Sequence, residues 1–414
     1  MLKKIFRRKN APRDYLILIA FLFCFFFSND FGLIDIQKTA IVIAAAIDRD
    51  GEEFVLTSQI AVPQASKQGE QVQPVQIESR GKTVAEAFSK VNAKTGWYPK
   101  LVFCNLIVLG KTAVERDVFE GLDFFLRDEY MADNCSLAVT EGDAKEILSS
   151  KTPIEEIPAL AVQKVLSEHA ARVGTALPVT LRTFSASHYS SAKSGFIPIL
   201  KKEQASGESS SSGGQGGGQS GGQSGSQSQS QNQSQSGGKN QGESKETVFS
   251  ASETALFKEG VMVGKLNEEQ TFALAAVKRD LRLAGFFTGE AGNNYTLLVK
   301  KNENKIRLTV DKNAQPKLFV QATVIAGIQD NSSPSTVTEL AEEGLLPPAV
   351  KKAAEEKLKK TVEDVFQIAK DCDADVFGAT EMLRKYQSKY FSAYHDDLLS
   401  RIKLSVKIQF RALR

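Results

Sequence analysis

The spacing of apolar residues divides the chain into an apolar run near its start, a first folded region, a long polar break and a second folded region. The first run, Tyr15 to Phe27 (YLILIAFLFCFFF), is apolar without interruption. Its thirteen residues would make about 20 Å of helix, short of the roughly 30 Å of a bilayer core, so the run has the length of a signal-peptide apolar segment. Cleavage is poorly supported, because no small-x-small pair precedes Asn29 or Leu33. Lipidation at Cys24 is disfavoured by Phe23, which stands where a small residue is needed. Six cations (Lys3, Lys4, Arg7, Arg8, Lys9, Arg13) face one acid, Asp14, and such a flank stays on the cytoplasmic side. The expectation is a basic cytoplasmic flank over 1–14 and an uncleaved anchor or signal-like segment over 15–31. Its membrane residues would be Tyr15, Leu16, Ile17, Leu18, Ile19, Phe21, Leu22, Phe23, Phe25, Phe26 and Phe27, with the bulk of the chain extracytoplasmic.

In the first region, KTAIVIAAAI and EEFVLTSQIAVP flank the turn DRDG and predict a β-hairpin. Residues 64–74, rich in Gln, Lys and Gly, read as a loop before the strand VQIESRG. A helix follows, with Thr83 and Glu86 spaced as a capping box and Val84, Ala87, Phe88 and Val91 on one stripe. LVFCNLIVLG (101–110) predicts a buried strand, and VERDVFEGLDFFLRDEY a helix with Val118, Leu122, Phe125 and Leu126 at helical spacing. CSLAVTEG adds a strand, DAKEILSS a helix from Asp143, and residues 153–169 another. PVTLRTFSASHYSS and SGFIPILKK both read as strands.

From Glu203 to Ser244 the chain is almost entirely Ser, Gly and Gln, which cannot build a core. The break is either a hinge between lobes or a loop inside one module; its strand-like flanks favour the loop. Beyond it, TALFKEGVMVGKL predicts a hairpin turned at 258–260, and NEEQTFALAAVKR a helix opening on Asn267. YTLLVKK, KIRLTVD and KLFVQATVIAGIQD read as an antiparallel meander separated by Asn-rich and Pro-containing turns. Pro347 and Pro348 open the longest helix, whose stripe runs through Val350, Ala354, Leu358, Val362, Val365, Phe366, Ala369 and Cys372. It should pack across the meander. A further turn and helix lead to RIKLSVKIQFRAL, a last strand with Ile402, Leu404, Val406, Ile408 and Phe410 on one side.

These elements predict a multi-domain α+β (mixed α/β) protein, with mixed and antiparallel sheets packed with helices after an N-terminal membrane helix. The division expected is an α/β region over 32–202, with room for two subdomains, a disordered insert over 203–246, and an α+β domain over 247–414. Composition removes several functions. The net charge of +3 is concentrated in the first fourteen residues, leaving the remainder slightly acidic, which gives no basis for nucleic-acid binding. Cys24, Cys104, Cys135 and Cys372 lack CxxC spacing and only three histidines occur, so neither a metal nor a cofactor is expected. Outside the membrane Cys104 and Cys135 could pair, but their apolar settings favour buried thiols.

No catalytic site is expected. GxSxG, HExxH and Walker patterns are missing, and the Gly-rich run at 213–222 has no strand-to-helix setting. His188 lies among Ser185, Ser187 and Ser190, but neighbours on a strand alternate faces and would not assemble a site. Asp371, Asp373 and Asp375 alternate like a calcium loop, yet Val376 and Met382 occupy the positions that need Gly and Glu, so capping or pairing with lysines fits better. Tyr386, Tyr390, Phe391 and Tyr394 fall at helical spacing and read as core.

An ordered set of stretches resembles the C subunits of bacterial spore germinant receptors, the Ger(x)C or GerAC-like family. They are AIVIAAAIDRDG (40–51), the strand ending at Pro63, RGKTVAEAF (80–88), NLIVLGK (105–111), DFFLRD (123–128), AVTEGDAKEIL (138–148), ALFKEGVMVGKL (255–266) and ADVFG (374–378). The resemblance spans most of the chain outside the insert. It marks Asp48, Gly81, Phe125, Arg127, Asp128, Gly142, Gly264, Asp375, Phe377 and Gly378 as fold-defining positions. Family members typically begin their mature chain at a lipidated Cys followed by Trp and Asp; SNDFGLID here offers Phe31 and no Cys. The resemblance implies three small mixed α/β domains and a non-enzymatic subunit that assembles with a channel-like A-type and a transporter-like B-type membrane subunit in the inner spore membrane. The other reading of the residues is a membrane-anchored extracytoplasmic ligand-binding or envelope scaffold protein.

Overall fold

The computed structural model describes residues 11–27, 39–61, 74–205 except 154, 246–332 except 291, and 346–412, with side chains of the first helix described for 15–23. Asp30 and Phe31, the loop at 64–73 and most of the polar insert lie outside the described residues. A mixed α+β architecture is present, built on two sheets.

The larger sheet begins with the expected hairpin, β1 (Thr39–Asp50) and β2 (Glu53–Ala61), continued by β3 (Val75–Gly81). Helix α2 (Val84–Thr95) follows, its stripe Val84, Ala87, Phe88 and Val91 buried. The Thr83 hydroxyl accepts from the Glu86 N–H as expected, but the Glu86 carboxylate takes the N–H of Lys82, so the box closes one residue early. β4 (Tyr98–Lys100) then pairs in parallel with the first residues of β1. The strand expected over 101–110 starts only at Leu106: residues 101–104 form a turn closed by the Cys104 N–H on the Leu101 carbonyl, and β5 is Leu106–Leu109. Short α3 (Lys111–Val114) and α4 (Phe119–Arg127) precede β6 (Ser136–Thr140), α5 (Ala144–Ser149), α6 (Pro158–Val165) and α7 (Glu168–Val173).

The sheet order is β10-β9-β8-β6-β5-β1-β2-β3, with β5, β6 and β8 (Ser194–Gln204) parallel to β1. Parallel strands buried on both faces need continuous apolar runs, as in the fully buried LIVL of β5. In β1 a register shift between Val42 and Ala44 changes the parity of the strand. Ala40, Val42, Ala45 and Ile47 therefore face one core, with α2 and α4, while Ala44 and Ala46 face the other, with α5 and α6.

PVTLRTFSASHYSS is a correction. Only Val179–Thr180 form a strand, β7, and Leu181–His188 form helix α8, opened by a capping box between Thr180 and Thr183.

The segment after the insert joins the larger sheet. β9 (Thr247–Lys258) runs antiparallel to β8 from Gln204↔Thr247 to Ser194↔Lys258, and β10 (Val261–Leu266) pairs back on β9 through a turn with positive φ at Glu259 and Gly260. The sequence reading groups these strands with the C-terminal domain; their hydrogen bonds belong to the first sheet. The insert thus connects adjacent strands, as the loop reading expects. Because the Ala205 N–H already reaches the Glu246 carbonyl (2.9 Å), a four-residue Gly/Ser turn should replace residues 206–245. Loop closure is then expected to favour the folded chain by about 2 kcal/mol, and a chain whose urea midpoint fell instead would refute this.

The smaller sheet, β11-β12-β13-β14, holds the remainder. Asn267 and Gln270 form the capping box of α9 (Glu268–Lys278). β11 (Ala284–Glu290), absent from the sequence reading, supplies the first strand of the meander. YTLLVKK and KIRLTVD, expected as two strands, are one: β12 (Asn293–Val310), paired with β13 (Pro316–Asn331). The Asn-rich stretch between them is not a turn because Asn302 is buried, accepting from the Leu281 N–H (2.6 Å) and donating to the Ala276 and Arg279 carbonyls. Helix α10 (Pro348–Asp371) buries its predicted stripe against this sheet, with Cys372 half-buried at its end. After α11 (Ala379–Tyr386), β14 (Lys403–Ala412) returns parallel to β13, and the Glu355 carboxylate of α10 accepts its Phe410 N–H (2.8 Å).

Candidate functional site

The N-terminal helix α1 spans Ala11–Phe27. Tyr15, Leu16, Ile17, Leu18, Ile19, Phe21, Leu22 and Phe23 are exposed on it, and the side chains of Phe25, Phe26 and Phe27 lie outside the described residues. Among the described residues, no helix is long and apolar enough to cross a membrane.

Two of the motif residues, Asp48 and Asp375, form tertiary helix caps. Asp48, at the end of β1, is buried and accepts from the Ala144 N–H (2.8 Å) and the Lys145 N–H (3.2 Å). It therefore caps α5 from almost a hundred residues away, and Asp143, which stands at the N-cap position of that helix, makes no side-chain capping bond. Burial pushes the Asp48 carboxyl above its ordinary value, against the pull of those two N–H groups. The carboxylate fits because residue 110 is glycine: a Cβ there would stand 1.8 Å from Asp48 Oδ1. Gly81 serves α2 in the same way, since its Cβ would come within 2.6 Å of the Ala87 nitrogen.

Asp375 is the counterpart in the second half. Buried behind the end of α10, it accepts from the N–H groups of Gly378 (2.8 Å), Ala379 (2.9 Å) and Thr380 (2.7 Å) and so closes the start of α11. Gly378 has φ +77°, which only glycine adopts cheaply. Phe377 packs edge-on against Phe366, with ring centroids 5.8 Å apart. The capping expected for this acidic stretch holds at Asp375, while Asp373 pairs with Lys258 (2.8 Å) across the two halves. Gly264 marks a second meeting point, its Cβ position lying 2.7 Å from Cys372 Sγ. Phe125 is fully buried, Arg127 pairs with Asp123 (2.7 Å), Asp128 ends α4 and accepts from the Tyr130 N–H, and Gly142 stands in open space.

The tempting His/Ser group assembles no nucleophile. Ser185, Ser187 and Ser190 donate to the carbonyls of Leu181, Thr183 and Ser187 within the helix and its end. The His188 ring stacks 3.8 Å from that of Phe119, and burial lowers its pKa, favouring the neutral form. Cys104 and Cys135 are free and buried; hydrogen bonding between them, with burial, pushes the Cys135 thiol far up. Among the described residues there is no group of three His, Cys, Asp or Glu side chains able to hold a metal.

Two of the concave surfaces are walled by several aromatic rings. One, about 730 Å³, lies between α2, β4 and the end of α4, walled by Phe88, Phe124 and Leu101, with Arg127 and Asp128 at its border. The ammonium of Lys100 sits 4.5 Å from the Tyr130 ring centre and 5.3 Å from that of Tyr98. Val102 and Phe103, expected inside a buried strand, are exposed beside it because that strand begins later. The other, about 480 Å³, lies between α7, α9, β11 and α10 and is walled by Phe272, Phe286 and Phe287. Lys357 bonds Glu269 (2.8 Å) and the Phe287 carbonyl (3.0 Å) at its rim. Of the predicted aromatic cluster, Tyr390, Phe391 and Tyr394 pack on the C-terminal core, whereas Tyr386 is 74% exposed. Sequence reasoning missed both concavities, though WYPK before the strand was a visible signal for the first.

Comparison with known proteins gives a consistent result. Residues 33–202 match the spore germination protein N-terminal domain, and residues 252–414 match the spore germination B3/GerAC-like C-terminal domain. Spore germination protein B3 of Bacillus subtilis (strain 168) is 22% identical over 309 residues, covering 73% of this chain and 71% of its own. The crystal structure of the GerBC protein is similar over 89% of this chain and 97% of that one, with a TM-score of 0.48 and 17% identity.

Proposed function

Because the chain belongs to the GerAC-like family of spore germination proteins, we propose that it is a non-enzymatic C-type subunit of a nutrient germinant receptor. The observation that carries this reading is the ordered match of both family domains, one on each side of the insert. In this reading the subunit assembles with A-type and B-type membrane subunits, is held in the inner spore membrane by its N-terminal helix, and keeps its bulk extracytoplasmic. The basic flank and the exposed apolar side chains of α1 support the anchor. The family motifs serve packing and capping, as Asp48 and Asp375 do, which fits a protein that works by shape and contact. The domain division over 32–202 and 247–414 belongs to the same proposal, with β9 and β10 completing the first sheet.

The test is genetic and biochemical. Deleting the gene in a spore former is expected to impair germination triggered by nutrients, and the full chain is expected to co-purify from membranes with two integral subunits. Germination unchanged with every nutrient tried, together with solitary purification, would sink the reading. The aromatic-walled cavity beside Lys357 favours the second reading, an anchored extracytoplasmic ligand-binding protein. That outcome would show as small-molecule binding by a chain that has no membrane partners.

A further inference from the structure

We infer that the end of the larger sheet at which β1 begins faces lipid, lying in the headgroup zone of the bilayer that holds the N-terminal helix. This rests on the anchor reading above.

The first observation is where exposed apolar surface collects. Outside α1, twelve large apolar side chains are exposed among the described residues, and six of them, Val75, Tyr98, Val102, Phe103, Leu126 and Tyr130, come from segments meeting at this one end. Register places them there. Val75 opposes Ile60 near the close of β2, and Tyr98 opposes Thr39 at the start of β1. Val102 and Phe103 fall just before β5, which runs parallel to β1; Leu126 lies in the last turn of α4 and Tyr130 leads into β6. Single exposed apolar residues are ordinary, whereas half of them gathered at one edge marks an interaction surface.

The chemistry of the patch selects the partner. Tyr rings with a polar tip, the adjacent Trp97 and a Lys whose ammonium lies over two aromatic rings are the composition of a membrane interfacial belt. The neighbouring charges are mixed, with Asp128, Glu129 and Asp133 against Lys100 and Arg127, so attraction to an acidic surface is not the driving force.

The connection to α1 supplies the second, independent observation. Thr39 follows Phe27 by twelve residues, and a chain of that length reaches at most about 40 Å, so the end bearing Tyr98 is tethered close to the bilayer. Tethering makes the contact intramolecular, and a patch of modest intrinsic affinity then stays engaged.

Trp97 is the chain's one tryptophan and adjoins Tyr98, so its fluorescence reports directly. The full chain would be placed in phosphatidylcholine nanodiscs with ordinary or brominated acyl chains. The brominated discs are expected to cut Trp97 emission to roughly half, with no dependence on salt, and Tyr98→Ser/Phe103→Ser/Tyr130→Ser should restore it. These positions are exposed, and a circular dichroism spectrum checks that the triple variant is folded. Equal emission in both discs from chain that co-elutes with them would overturn the proposal while leaving the anchor standing. Failure to enter the discs at all would instead remove the anchor reading. Trp97 shielded only after an A-type or B-type subunit is added would overturn the lipid assignment and give the patch to a protein partner.

Discussion

A Gly110→Ala chain is expected to lose about 3 kcal/mol of stability, although φ at this position is an ordinary −78° and the added methyl is apolar. The cause is space. The new Cβ would occupy the position of Asp48 Oδ1, so the carboxylate must leave or β5 must shift, and either movement uncouples α5 from the end of β1. Urea unfolding of the purified chain measures this, and a loss below about 1 kcal/mol would show that the carboxylate moves aside without cost. The same carboxyl makes a pH signature. Its folded pKa is raised, so the folded chain holds the proton more tightly than the unfolded chain. The stability this gives is complete below the ordinary carboxylate value and is lost as pH rises through the interval above it. Asp48→Asn should flatten the stability curve over that interval.

The second large effect is expected at Asp375. Removing its carboxylate with Asp375→Ala leaves three N–H groups without their acceptor at the start of α11 and should cost about 3 kcal/mol. Asparagine separates the two oxygens. Its amide oxygen can replace Oδ1 for Gly378 and Ala379, but its NH₂ would face the Thr380 N–H, so Asp375→Asn should retain about half of the loss. An Asp375→Asn loss close to zero would mean that Thr380 is not a partner of consequence, and a loss equal to that of Asp375→Ala would mean that the bonds to Gly378 and Ala379 contribute nothing. Because α11 packs on the core shared by α10 and the smaller sheet, unfolding is expected to remain cooperative in both variants.

What was legible in the sequence follows from how local each cause is. The stripes of α2 and α10, the Asn267 cap and the hairpin turned at Lys258 to Gly260 all depend on neighbours a few residues apart, and each stands where the pattern places it. The misreadings arise where distant partners decide. KNEN looks like a turn until Asn302 finds the end of α9, which lets β12 run on as a single strand. The stretch around His188 mixes polar and apolar residues in a way that suits either period, and the capping box at Thr180 decides for helix. Asp143 occupies the local capping position, yet the bond comes from Asp48, which no window of sequence brings near. The same holds for the candidate sites: WYPK is visible as an aromatic run, but its meeting with Tyr130 depends on the parallel crossover from β5 to β6.

The pairing of β8 with β9 bears on how this chain can vary. Ten pairs of residues hold these strands together from Gln204↔Thr247 to Ser194↔Lys258, so their union does not depend on the peptide backbone that links them through the insert. A protease that cut there would release no fragment, and a lineage that lengthened, shortened or replaced the insert would leave the architecture untouched. The place where the chain looks most nearly divided is the place where covalent continuity matters least.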